Sequence, residues 1–296
     1  MDLIVQFVIP AIVGLFIGVL SGLLGIGGGT VMVPVFRLLF DMSAIMSTAT
    51  SLFAIIPTSV SGAISHVRHK TCIPALGIAA GLGGALTSPV GVWLATLSPA
   101  WLIMVVAALI IGWSAVKMLG KAIKMKPSAP AAMRQPSADA AGTLAADGEP
   151  AASPLGASPV AADASAPFTK LSRKQLLIGV AIGLGAGVAS GYVGVGGGFI
   201  MVPLMLSLVG ISMRQASGTS LIAVMLLAIP GVVEQALLGN INYLAGIAIS
   251  IGSIPGAAIG AHLVHRVPER TLRFIFGGFL IVAAALLVLN EFGILG

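Results

Sequence analysis

The sequence predicts an all-α integral membrane protein built as two homologous, inverted repeats of about five hydrophobic segments each. Three observations carry this reading. Only 8% of residues are charged and the mean hydropathy is +1.10. Matched residues recur at one fixed spacing, and basic and neutral loops trade places between the matched positions. Soluble domains carry about a quarter charged residues, so a polar surface cannot be drawn from this composition.

Spans need roughly 20 apolar residues. Such stretches occur at 44–65, 73–97, 101–119, 176–195, 218–238, 243–264 and 272–289. The opening Met1-Asp2-Leu3-Ile4-Val5 lacks a basic region, so the first apolar stretch, 5–24, is expected to be retained rather than cleaved. Segments 30–40 and 199–210 are too short to cross at about 1.5 Å per residue, which puts the total at about eight to ten segments, some of them re-entrant or half-length. The N-terminal repeat covers 1–125 and the C-terminal repeat 171–296. Between them, 126–170 is rich in Ala, Pro and Ser and cannot build a core, which predicts a disordered linker. Basic residues cluster at both of its ends, Lys117, Lys121, Lys124 and Lys126 at the first and Lys170, Arg173 and Lys174 at the second, which places it in the cytoplasm.

The net charge of +6 concentrates at segment ends, where it sets topology; no nucleic-acid partner is expected. The single Cys72 excludes an internal disulfide or a cysteine metal cluster. With no nucleophile elbow, zinc-binding pair of histidines or nucleotide loop, the sequence predicts neither an enzyme nor a cofactor or metal site. Trp93, Trp101 and Trp113 fall near expected span ends as interfacial anchors.

The halves align without a gap. Ser21-Gly22-Leu23-Leu24-Gly25-Ile26-Gly27-Gly28-Gly29 pairs with Ser190-Gly191-Tyr192-Val193-Gly194-Val195-Gly196-Gly197-Gly198, so position 21 meets 190, a shift of 169. The same shift pairs Met32-Val33-Pro34 with Met201-Val202-Pro203, and Thr50-Ser51-Leu52 with Thr219-Ser220-Leu221. A constant register over this distance indicates duplication. Basic His66–Lys70 is matched by uncharged Gln235–Asn242, while neutral Thr96–Trp101 is matched by basic His265–Arg270. Basic ends favour the cytoplasm, so equivalent loops fall on opposite sides.

The strongest candidate site is Gly25, Gly27, Gly28 and Gly29 with its copy Gly194, Gly196, Gly197 and Gly198. Such runs break a helix, and the new helix start presents free N–H groups and a positive dipole end to an anion. The competing reading is close helix packing. Thr50, Ser51, Thr219 and Ser220 could donate hydroxyls to the same anion or bond back to their own helix. His66, Glu234 and Gln235 are candidates for a proton or substrate relay, against the plainer reading of an interfacial helix end.

Two copies of Ser-Gly-x-x-Gly-[Ile/Val]-Gly-Gly-Gly-x-x-Met-Val-Pro, followed by Ala49-Thr50-Ser51-Leu52 and Gly218-Thr219-Ser220-Leu221, resemble the sulfite exporter TauE/SafE family. The resemblance covers nearly the whole chain apart from the linker. It implies a multi-pass permease of the bacterial-type inner membrane, exporting sulfite, a sulfonate or a related sulfur-containing organic acid. Proton coupling is a further implication. An importer of the same anions and an anion channel are the alternatives. The expected partners are the small anion and the bilayer, with homo-oligomerisation left open.

Overall fold

A computed structural model describes residues 7–124 and 171–291; the expected linker, 126–170, lies outside the described residues. Those residues form helices and no strand. α1 (Ile9–Leu24) has Pro10 in its first turn and ends on Gly25 at φ 76°. α2 (Gly29–Phe40) starts after Gly28 at φ 85°. α3 (Ala44–Arg68) is capped by the Ser43 side chain, which accepts from Met46 N–H. α4 (Pro74–Leu97) and α5 (Ala100–Lys124) complete the first half. In the second half, α6 (Arg173–Val193) begins with a Ser172/Gln175 capping box. α7 (Gly198–Leu204) continues as a π turn over Met205–Val209. α8 (Met213–Leu237) begins with a Ser212/Gln215 capping box, and α9 (Tyr243–Leu263) with Asn242. α10 (Glu269–Glu291) closes the chain's described part.

Six helices, α3, α4, α5, α6, α8 and α9, are long and apolar enough to cross a membrane. This is an all-α, multi-pass membrane architecture. The 12 residues of α2 reach only about 18 Å, well short of the ~30 Å hydrocarbon core. Its counterpart Gly198–Val209 is likewise short. The two abbreviated segments expected from the sequence are therefore abbreviated in the fold.

Small residues bring the halves together. Gly14, Gly18 and Gly22 on α1 face Ile249, Ser253 and Ala257 on α9, so closely that a Cβ on any of them would strike backbone. Gly183, Gly187 and Gly191 on α6 face Ala80, Gly84 and Ser88 on α4 in the same way. Apolar lipid gives helices no hydrophobic reason to associate, so close van der Waals packing has to supply the attraction. Both pairs run parallel, since residue numbers rise together along each interface.

α3 and α8 cross at the centre in opposite directions. His66 packs beside Gly218, Gly62 beside Leu221, and Leu52 beside Gly231. α3 instead runs parallel to α9, with Thr58 bonded to Ser253, Ser61 to Ile254 and Ser65 to Ala258. Under the 169-residue shift α3 corresponds to α8 and α4 to α9, so matched helices point opposite ways. The α3–α4 and α9–α10 loops consequently share one face. There His69 Nε2 lies 3.2 Å from His262 Nδ1, and the His69 ring is 5.4 Å from that of His265. On this face Arg214 donates to the carbonyl of Val267, and Glu269 pairs with Arg273 at 2.6 Å.

Candidate functional site

Each glycine turn interrupts two helices at the heart of the fold, and the two turns touch. A Cβ on Gly198 would lie 2.6 Å from the Gly25 carbonyl and 2.9 Å from Ile26 Cα; one on Gly29 would lie 2.5 Å from the Val195 carbonyl. Gly25, Gly27 and Gly28, with Gly194, Gly196 and Gly197, all have φ between 68° and 85°. L side chains rarely adopt that region, which accounts for glycine at these positions. Ile55 of α3 and Val224 of α8, partners under the 169-residue shift, lie against both turns and are fully buried. The centre is thus an apolar plug clasped by two helix breaks.

The polar groups around that plug are unevenly satisfied. Hydrogen bonds in the first turn are donated by Gly25 to Ser21, and by Val31 and Met32 to Gly28. In the second, Gly194, Gly198, Ile200 and Met201 donate. The N–H groups between them, of Ile26, Gly27 and Gly28 and of Val195, Gly196 and Gly197, donate no hydrogen bond among the described residues. Buried hydroxyls without a partner lie on the same elements: Ser21, Thr30, Ser51, Ser59 and Ser190. Ser59 Oγ would lie 3.3 Å from a Cβ on Gly27, and Ser21 Cβ 3.6 Å from one on Gly28. Of these, the sequence marks Ser51 as a candidate but not Ser21, Thr30, Ser59 or Ser190. The recurrence of Ser-Gly at 21–22 and 190–191 was the available signal.

The expected hydroxyl donors divide in two. Thr219 Oγ1 accepts from Ile73 N–H at 2.9 Å, and Thr50 Oγ1 accepts from Asn242 N–H at 3.0 Å. Ile73 and Asn242 precede α4 and α9, so each threonine fastens the start of a helix. Neither interaction is the back-bond to its own helix that the sequence allowed. Ser220 Oγ lies 2.7 Å from the Gly25 carbonyl and 2.9 Å from the Ser217 carbonyl of its own helix, so its hydroxyl keeps the back-bond the sequence allowed and also braces the first turn.

His66 is fully buried, not the water-facing helix end that was the plainer reading. Its Nε2 donates to the Gly22 carbonyl at 2.8 Å, and its Nδ1 meets Thr71 Oγ1 at 2.7 Å. A carbonyl can only accept, so Nε2 carries the proton. Gln235 repeats the motif, its Oε1 accepting from Asn240 Nδ2 at 2.8 Å. The structure does not bring the three relay candidates together. His66 packs at Gly218 near the start of α8, whereas Glu234 and Gln235 sit near its end, about 25 Å further along. The antiparallel crossing of α3 and α8 sends equivalent ends to opposite faces.

Outside the spans, burial first, then His69, Arg214 and His262, hold His265 below the ordinary imidazole value. Burial pushes the Cys72 thiol up to about 11, leaving it a poor nucleophile at neutral pH. No group of three or more metal-ligating side chains is found among the described residues.

A match to the sulfite exporter TauE/SafE family spans residues 10–287. The chain belongs to the sulfite exporter TauE/SafE family. Its TauE/SafE character extends over both halves and both glycine turns. Similar proteins of Bacillus subtilis (strain 168) are probable membrane transporters. YunE is 26% identical over 290 residues, covering 96% of this chain and 97% of YunE. YdhB is 26% identical over 258 residues, with 87% and 90% covered. YjnA is 23% identical over 286 residues, with 94% and 98% covered. No solved structure matches significantly. This TauE/SafE chain is therefore a multi-pass membrane transporter.

Proposed function

We propose that the chain is a secondary transporter that exports a small oxyanion, such as sulfite, a sulfonate or a related sulfur-containing organic acid. The anion binds where the two glycine turns meet. The observation that carries the reading is the set of undonated N–H groups in both turns, beside buried hydroxyls that lack partners. An unsatisfied buried polar group costs about 1–3 kcal/mol, a cost that a bound oxyanion would offset. Backbone donors at a helix start suit such a ligand without any charged side chain, and a low-dielectric surround strengthens each contact. Hydrogen-bonding roles for Thr50, Ser51, Thr219 and Ser220 toward the anion belong to this proposal. The family and the names of its relatives support transport rather than catalysis.

The same reading makes the halves an inverted repeat, as the opposed directions of α3 and α8 support. Lys70 and Arg266 lie in the two loops whose histidines meet, and the basic face they mark is assigned to the cytoplasm. The membrane is then the bacterial-type inner (plasma) membrane.

Flux into proteoliposomes decides the matter, using sulfite, short sulfonates, sulfate and carboxylates in turn. Saturable movement driven by an imposed gradient, with sulfur oxyanions preferred, is the expected result. Single-channel current steps, or no preference for sulfur oxyanions over carboxylates, would overturn it.

A further inference from the structure

Away from the glycine turns, α3 and α9 enclose a groove of about 650 Å³. It begins at Pro57, the fourteenth of the 25 residues of α3, and ends at Arg68 and His69. Twelve residues of helix make about 18 Å, close to one leaflet's share of a ~30 Å hydrocarbon core. Its walls are apolar, with Val60 and Ile64 on one side and Ile254 and Ala258 on the other. The serines in the wall are spent: Ser61 Oγ donates to the Ile254 carbonyl and Ser65 Oγ to the Ala258 carbonyl. The volume is of ligand size.

Polarity is confined to one end. Arg68 is exposed there and forms no ion pair among the described residues. His69 is anchored beside it, its Nδ1 bonded to the Ser65 carbonyl at 2.7 Å and its Nε2 facing His262. An apolar groove that runs from the middle of α3 to its C-terminal end and closes on an exposed cation matches an acyl chain with an anionic headgroup. It does not match a compact hydrophilic oxyanion, which would find almost no donors along its length. Basic clefts between membrane helices on the cytoplasmic side are suited to such headgroups.

We infer that the α3–α9 groove is a binding site for an anionic phospholipid, with one acyl chain along Val60, Ile64 and Ala258 and the phosphate at Arg68. The site is independent of the anion site at the turns.

The test uses the full chain in vesicles of nine parts phosphatidylcholine to one part phosphatidylglycerol. Spin-labelled phosphatidylglycerol and phosphatidylcholine are compared for their motionally restricted fraction, and lipid retained after detergent extraction is identified by mass. The parent is expected to retain phosphatidylglycerol selectively. Arg68→Gln is expected to lower that selectivity about fivefold, the effect of one interfacial basic residue. Ala258→Trp fills the groove from the α9 side and is expected to abolish retention of either lipid there. Thermal unfolding of both variants in detergent checks that the fold survives. Equal retention of the two lipids by the parent, or unchanged selectivity in both folded variants, overturns the assignment. So does displacement of the labelled lipid by millimolar sulfite, which would make the groove an aqueous vestibule. Cross-linking of two copies through Ile64→Cys would make it a contact between copies.

Discussion

At the scale of single residues, the glycine turns separate two requirements that the sequence alone conflates. A Cβ on Gly25 would collide with the backbone of Ser217 at φ 76°, so Gly25→Ala is expected to reduce folded protein in the membrane sharply. Ser59→Ala removes only a hydroxyl that has no partner. It is expected to leave thermal stability unchanged or slightly raised, yet to weaken anion binding by roughly 1 kcal/mol. Isothermal titration beside thermal unfolding would show both effects, and unchanged affinity in Ser59→Ala and Ser21→Ala together would remove the anion from the turns. Thr219→Val tests a different role. It leaves the Ile73 N–H without its acceptor and is expected to cost about 1–3 kcal/mol of stability even without ligand, read as a lowered unfolding midpoint. The residues at issue were partly legible in the sequence. Paired glycine runs and paired Thr-Ser dipeptides announced themselves by recurrence. Ser59 has no counterpart in the other half, where Ala228 stands, so recurrence could not reveal it.

At the scale of elements, hydropathy located the spans but could not say which span touches which. Lipid and protein interior are both apolar, so a buried face and a lipid-facing one look alike to a hydropathy count. The close partners turned out to lie in opposite halves: α1 with α9 and α4 with α6. The spacing of four between Gly14, Gly18 and Gly22, and between Gly252, Gly256 and Gly260, marks the facing stripes. Gly256→Val is expected to force α1 and α9 apart, because its Cβ would meet the Leu15 carbonyl. Loss of the monodisperse peak in size-exclusion chromatography is the expected readout, whereas Gly185→Val, with nothing near its Cβ, should elute as the parent does.

At the scale of the whole molecule, the charge pattern foretold that the α3–α4 and α9–α10 loops would share a face, and the His69–His262 contact joins them there. Cysteines placed at Lys70 and Arg266 are accordingly expected to react with an impermeant reagent from the same side; opposite-side labelling would break the inverted reading. The junction also carries a pH dependence. His265 is held below its ordinary value of 6.5, facing His69, Arg214 and His262. As pH falls through that value the unfolded chain takes up the proton before the folded one, so stability is lost on acidification and is retained above it. His265→Asn is expected to flatten the fall in unfolding temperature between about pH 7 and pH 5. A parallel fall in parent and variant would place the sensitivity elsewhere.

One bond at the centre is made in only one half. Ser220 holds the Gly25 carbonyl, while Ser51, its partner under the shift, holds nothing among the described residues. A molecule whose halves keep two versions of one latch carries a sketch of its other face. If the halves trade conformations, Ser51 closes on the Gly194 carbonyl and Ser220 lets go, and the path that was shut opens to the opposite side. Ser51→Ala should then leave the present conformation untouched and still slow turnover. Equal turnover in parent and variant would mean that the two latches never change places.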